Sequence, residues 1–320
     1  MLTDEAARCL QELAAGRRPV KERLECLRDA TQNDPATEAM SSLGYDPGTF
    51  FDERVEWFRR ASYLCPRTSV TVSGRCEEAL ISSAELWRFY LPLAQVFYRK
   101  SRTKHKLRVL VGVAGPPGSG KSVFSALLAE VFNAATEDQD IRAAMCSLDG
   151  FHFTNDYLET HSVRSGAEEV PLSSRKGAPE SFDVEAFLDA LQGLESKPKV
   201  AMPRYDREIH DPVPNAVSIG PADRIAIVEG NYLLHGEGLW NRVAARLDLR
   251  LFLDIPIEAV RSRIIERHVR GGRERKDAIR HFKQVDKVNF DMCMSSAHRA
   301  DLMLSRNSAQ RIEGVSKARM

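Results

Sequence analysis

At 320 residues with 43% hydrophobic side chains, the chain can hold one large domain or a domain with an appendage, and its composition excludes intrinsic disorder. Lys and Arg total 46 against 45 Asp and Glu; the net charge of +1 excludes a general field for steering onto nucleic acid or an anionic membrane, so small molecules are the expected partners. The six cysteines, at 9, 26, 65, 76, 146 and 293, form no C-x-x-C pair and no Cys/His ligand spacing, which fits reduced thiols in a cytoplasmic protein.

The N-terminus, MLTDEAARCLQELAAG, starts acidic and has no apolar signal core, and no segment approaches the ~20 apolar residues that span a bilayer. Helical stretches such as EAARCLQELAAG and FDERVEWFRRASYL are broken by Pro35, Pro47 and Pro66 without strand alternation, which predicts a helical N-terminal region over 1–80. Its role is not legible. The basic stretch YRKSRTKHKLR (98–108) is expected to be an exposed lead-in to the first strand.

From Val109 onward, short apolar runs alternate with helical patterns. The predicted strands are VLVGV (109–113), AMCSL (144–148), KVAM (199–202), IAIV (225–228), LRLFL (249–253) and ADLML (300–304). Strands separated by helices require crossover connections, hence a mostly parallel sheet covered on both faces in a three-layer α/β/α arrangement over 81–320.

Between the first of these strands and a helix marked by Val123, Leu127, Leu128, Val131 and Phe132 lies GPPGSGKS: Gly115, Pro116, Pro117, Gly118, Ser119, Gly120, Lys121 and Ser122. This is G-x-x-x-x-G-K-[ST] in its required strand–loop–helix context. Its glycines let backbone N–H groups surround β- and γ-phosphates at a positive helix end, Lys121 reaches the phosphate oxygens, and Ser122 binds Mg²⁺. The loop alone does not choose among motor, switch and kinase. An N-K-x-D guanine reader is absent, and the strands ending Glu229-Gly230 and Asp254-Ile255-Pro256 offer no acidic pair for polarising water, so transfer is favoured over hydrolysis.

The second predicted strand ends SLDGFHF, which puts Asp149 at the carboxyl edge of the sheet, where it can accept a proton from an attacking hydroxyl. The basic helix IEAVRSRIIERHVRGGRERK carries Arg261, Arg263, Arg267 and Arg270 ahead of Gly271-Gly272. Most of these arginines read as a solvated face, but one over a phosphoryl group in flight would stabilise its charge, and the glycine pair suits a lid around 257–276.

These residues resemble the small-molecule kinases that include pantothenate kinase, uridine kinase and phosphoribulokinase. The nearest likeness is to the pantothenate kinase type and the fructose-transport-system kinases. It rests on YLPLAQVFY (90–98), GVAGPPGSGKS, LDGFH, RKGAPESFD (175–183), PRYDR (203–207), VEGNYLL (228–234), KVNFDM and HRADLMLSRNS, and covers about residues 84–315. The resemblance implies ATP and Mg²⁺ as cofactors, with Lys121 and Ser122 on phosphate and metal, Asp149 as base, Glu229 near the metal, and Arg267 as the lid arginine. It also implies an acceptor site at His152, Arg175, Lys176, Tyr205, Arg207 and Asn289, and makes a homodimer plausible. The chain departs from the pantothenate pattern at Arg207 and Ile264, where substrate-contacting His and Tyr are expected, and at Gln310, where an adenine-facing His is expected. Keeping the catalytic set while losing two substrate contacts implies a different acceptor, and Arg207 hints at an anionic or polyhydroxyl one. The alternatives are a nucleotide-binding regulatory or scaffold protein that grips a partner through residues 1–80, and a nucleic-acid-associated NTPase.

Overall fold

The computed structural model describes residues 2–103, 106–165 and 168–318. The strands, in chain order, are β1 (Arg67–Val72), β2 (Arg75–Leu80), β3 (Val109–Ala114), β4 (Arg142–Ser147), β5 (Ser162–Ser165), β6 (Glu168–Pro171), β7 (Val200–Asp206), β8 (Asp211–Ile219), β9 (Asp223–Gly230), β10 (Leu249–Asp254), β11 (Leu302–Arg306) and β12 (Ile312–Lys317). Six of them form the central sheet in the order β12-β11-β10-β3-β9-β4. All neighbours pair in parallel except β11 with β12. The three-layer α/β/α fold expected from the sequence is present.

Side chains alternate across the pleat, so each strand serves two cores. Val109, Val111 and Val113 of β3 join Ile225, Ile227, Leu249, Leu251 and Leu253 on one face, against helices Lys121–Ala135, Leu91–Thr103 and Pro47–Ala61. Leu110 and Ala114 join Ala226, Val228 and Phe252 on the other, against helices Val184–Ser196, Trp240–Arg246 and Lys287–Ser295. A third cluster, Ile255, Val260, Ile264, Ile265, Ala278, Phe282 and Phe290, packs among helices Ile257–Arg270, Arg275–His281 and Lys287–Ser295.

The N-terminal helices share the first of these cores: Leu10, Leu13, Phe51, Trp57 and Phe58 belong to the same cluster as Val111, Phe124 and Phe132. Trp57 meets Phe132 edge-on at 6.4 Å, and Trp87 packs edge-on against Phe51 and Phe58. Glu85 closes a capping box with Ser82 and also accepts from the Ile312 N–H at 3.0 Å, which ties this region to β12.

Three expectations need correction. Residues 1–80 are not wholly helical, because Arg67–Leu80 forms the β1–β2 antiparallel hairpin. KVAM is a strand, but in the separate β7–β8 antiparallel hairpin rather than the central sheet. The basic stretch 98–108 includes residues 104 and 105, which lie outside the described residues, and its end is not exposed. Arg108 is buried and donates to the carbonyls of Asp223, Leu194, Lys197, Pro198 and Gly220, so five acceptors satisfy a guanidinium with no carboxylate bonded to it. No helix among the described residues is long and apolar enough to cross a membrane.

Candidate active site

Between β3 and helix Lys121–Ala135, the GPPGSGKS loop turns on three glycines with positive φ: Gly115 (153°), Gly118 (77°) and Gly120 (81°). Gly120 is the N-cap of that helix and supplies no side-chain cap, so the first-turn N–H groups point out of the helix end unclaimed by a capping side chain. A Cβ on Gly120 would lie 2.7 Å from Nη1 of Arg306, which is buried and donates to the Ser119 carbonyl. Among the described residues, the buried Ser119 hydroxyl has no partner. These features fit a phosphate cradle: uncapped donors, a left-handed backbone and an orphan hydroxyl at one turn.

Lys121 is buried and donates Nζ to the Pro116 carbonyl at 3.0 Å. Burial pushes its pKa down, while Glu229 and, more weakly, Asp149 pull it back and Arg267 opposes them. Ser122 and Ser147 both donate to Oε1 of Glu229, at 3.0 and 2.5 Å. Ser147 and Glu229 are register partners on β4 and β9, so their side chains leave the sheet side by side. Burial raises the Glu229 pKa, with repulsion from Asp149 adding to it, against the pull of Lys121 and the two hydroxyls. The hard oxygen donors of Ser122 and Glu229 suit Mg²⁺.

A carboxylate whose folded pKa is raised contributes stability when protonated and loses it as pH climbs from the ordinary glutamate range through the folded value. Above the ordinary glutamate range Glu229 is therefore a net cost to the fold. Glu229→Gln, still able to accept from both serines, is expected to raise the melting temperature at pH 7 by on the order of 2 °C. The gap should narrow as pH falls towards the ordinary glutamate range; thermal melts across that range would refute the assignment if the gap stayed constant or reversed.

Asp149 sits half-buried in the short 3₁₀ turn Leu148–Phe151 that follows β4, its N–H held by the Ser147 hydroxyl at 3.1 Å. Gly150 is required by β7: a Cβ there would stand 2.4 Å from the Pro203 carbonyl oxygen. This close approach brings the PRYDR strand, and with it Tyr205, onto the Asp149 turn. The Asp149 charge acts on Lys121 and Glu229 on one side and on His152, Tyr205 and Tyr232 on the other.

On that second side, His152 lies over Phe182 with ring centroids 3.9 Å apart and faces Tyr205 at 5.2 Å. Its Nδ1 is 2.9 Å from the Asp149 carbonyl, and burial lowers its pKa despite the nearby carboxylate. Burial likewise pushes Tyr205 up to about 12, with Asp149 and Asp211 adding to the effect. Asn289 is buried, donates to the Gly177 carbonyl at 3.3 Å, and among the described residues has no partner for its own Oδ1.

The basic residues of this side divide. Arg175 is paired with Glu180 at 2.8 Å, and Lys176 donates to Asn155 and to the His210 carbonyl, so both brace the loop between β6 and helix Val184–Ser196. Arg207 is exposed, and its charge reaches Tyr205. Ile264 is buried in the third cluster and faces Gly118 of the phosphate loop, while the Gln310 side chain lies against Gly120.

Arg267 stands exposed on helix Ile257–Arg270, and among the described residues no hydrogen bond or ion pair engages it. Its neighbours are committed elsewhere: Arg261 lies 6.0 Å from the Phe282 ring centroid, Arg263 donates to the Ser308 carbonyl, and Arg270 is 4.0 Å from Glu266.

Two site residues were not singled out from the sequence. Ser147 lies two positions before Asp149 at a strand end, a signal that becomes readable only once β4 and β9 are known to be neighbours. Tyr232, inside VEGNYLL, is fully buried and donates to the Gly177 carbonyl at 2.7 Å, sharing that acceptor with Asn289.

The same stretches carry the similarity to known proteins. The model of the Phosphoribulokinase / Uridine kinase family matches residues 110–313. The uncharacterized protein YggC of Escherichia coli (strain K12) is 29% identical over 239 residues, 74% of this chain and 94% of YggC. Pantothenate kinase of Streptococcus pneumoniae serotype 19F (strain G54) is 27% identical over 206 residues, 59% of this chain and 64% of that protein. The crystal structure of a protein from Silicibacter sp. TM1040, titled "putative fructose transport system kinase", superposes with a TM-score of 0.56 at 31% identity, covering 64% of this chain and 93% of the other. With the matched span running from β3 through the phosphate loop, the Asp149 turn, Glu229 and helix Ile257–Arg270 into β12, the chain belongs to the phosphoribulokinase/uridine kinase family of ATP-binding P-loop kinases.

Proposed function

We propose that the protein transfers the γ-phosphoryl group of ATP to a hydroxyl of a small metabolite, with Asp149 as the base. The observation that carries this reading is the position of the Asp149 turn: the Ser147 hydroxyl that holds the Asp149 N–H also donates to Glu229 beside the phosphate loop, and Gly150 packs on the Pro203 carbonyl of the strand that carries Tyr205. A hydroxyl held against His152 and Tyr205 would lie beside that turn.

In this scheme the uncapped helix end and Lys121 hold the β- and γ-phosphates. Mg²⁺, held by Ser122 and Glu229, would supply charge neutralisation on the phosphate oxygens. Asp149 takes the acceptor's proton as its oxygen attacks, and Arg267 swings in with the lid to balance charge on the equatorial oxygens. The acceptor is bound by Tyr205, His152 and the free Oδ1 of Asn289. With Arg175 and Lys176 already committed to protein partners, Arg207 is the basic group left to meet an anionic or polyhydroxyl acceptor.

The test is an acceptor screen over pantothenate, nucleosides, ketohexoses, pentoses and vitamin alcohols, following ATP consumption and the mass of the phosphorylated product. Lys121→Ala is the blank and is expected to lower transfer by about 10²–10³-fold, the cost of removing one preorganised charge-stabilising donor. ATP consumed with no acceptor gaining a phosphoryl group, or nucleotide bound without turnover, would overturn the proposal in favour of hydrolysis or of a regulatory role.

A further inference from the structure

The lid holds a cluster that the phosphotransfer chemistry does not use. His268 lies in the last turns of helix Ile257–Arg270, His281 ends helix Arg275–His281, and Asp286 ends the wide turn Phe282–Asp286. That turn is a π-helical segment, a form that recurs at functional positions because it re-aims a side chain. Nε2 of His268 is 2.8 Å from Oδ2 of Asp286, and the two imidazole rings meet edge-on with centroids 4.7 Å apart. One donor atom from each of the three residues lies within 4.8 Å of the other two. Asp286 is buried and both histidines are half-buried. The apolar side chains of Ala278 and Phe282 belong to the adjoining lid core.

We infer that His268, His281 and Asp286 form a binding site for a divalent transition-metal ion of the Zn²⁺ class, which staples the lid. Two imidazole nitrogens and one carboxylate oxygen make a borderline donor set that favours such an ion over Mg²⁺ or Ca²⁺, with a fourth position left for water. Ligand bonds of about 2.0–2.1 Å place the donors of a tetrahedral site roughly 3.3 Å apart, so side-chain rotations of about 1.5 Å or less complete the site. The exposed Arg273, whose charge acts on His281, turns outward when the ion enters. The three ligands come from three successive lid elements, so the ion fixes the two helices on either side of Gly271 and Gly272 to each other. Arg267 is the residue before His268. Control of its reach by the ion rests on the phosphotransfer reading; metal binding itself does not.

The experiment uses the full chain after dialysis against a chelator. Titration with Co²⁺ should show one saturable equivalent with the visible bands of nitrogen and oxygen ligands and no thiolate charge-transfer band. Zn²⁺ should displace the Co²⁺ and slow amide hydrogen exchange over 257–286. His281→Gln and Asp286→Asn should each weaken Co²⁺ binding by more than the roughly 10–100-fold that loss of an outer-shell partner costs. No saturable site in the wild-type chain, a thiolate spectrum that places the ion on cysteines, or unchanged affinity in both variants would overturn the inference. Where a variant fails to fold, the wild-type spectrum decides. None of these readouts depends on turnover, so failure here and failure of the kinase scheme are separable.

Discussion

Arg267→Ala is expected to lower kcat about 10³-fold while leaving the melting temperature unchanged. The side chain is exposed and makes no hydrogen bond or ion pair among the described residues, so its removal creates no cavity and orphans no partner. Its charge nevertheless reaches Lys121 of the phosphate loop. An arginine that engages the phosphoryl group only in flight contributes about 10³–10⁵-fold, and the lower end fits a site that already holds Lys121. Arg267→Lys should recover only part of the rate, because an ammonium cannot bridge two equatorial oxygens as a guanidinium does. Steady-state kinetics on the acceptor found by the screen would test this. A fall in KM affinity with kcat intact would make Arg267 a ground-state contact, and no change at all would make the lid arginine a surface residue.

Asp149→Asn is expected to lower kcat by about 10²–10⁴-fold, the usual worth of a positioned general base, with nucleotide affinity near wild type. The substitution keeps the shape of the 3₁₀ turn, because the Ser147 hydroxyl holds the Asp149 N–H and the Asp149 carbonyl faces His152; neither contact uses the carboxylate. It also removes a negative charge that raises Glu229 and, to a lesser degree, holds up Lys121. Glu229 should therefore ionise more readily in the variant. Nucleotide titration and single-turnover transfer, run side by side, separate the roles. Near-full transfer in Asp149→Asn would assign the base elsewhere, and a large loss of nucleotide binding would make Asp149 a phosphate-side or metal-side residue.

Five of the sheet's six strands were legible as short apolar runs bounded by turns, whereas the edge strand β12, IEGVSK with half of its positions exposed, was not predicted; the loop was legible because its glycines and lysine are fixed by phosphate geometry. KVAM shows the limit of that logic: four apolar residues report a buried strand but not its partner, and this one pairs with β8 away from the central sheet. RTSVTV and RCEEAL escaped because their hairpin is largely exposed, with polar residues at most positions, so neither period stood out. The Ser122–Glu229–Ser147 cluster joins residues up to 107 positions apart in sequence and depends on which strands are neighbours, information that no local pattern carries. Arg175 and Lys176 were legible as a motif but not as braces, since their partners Glu180, Asn155 and the His210 carbonyl are set by the loop's path.

The sharing of one core between the first helices and the face of β3 has a practical corollary for anyone trimming this gene product. A chain begun at residue 81 would leave Val111, Phe124 and Phe132 without Phe51, Trp57 and Phe58 above them, and would shed the β1–β2 hairpin whose Arg75 meets Glu208 at 2.9 Å just past β7. Such a fragment would be a sticky remnant rather than a minimal enzyme. The leading segment is therefore the roof of one shared core.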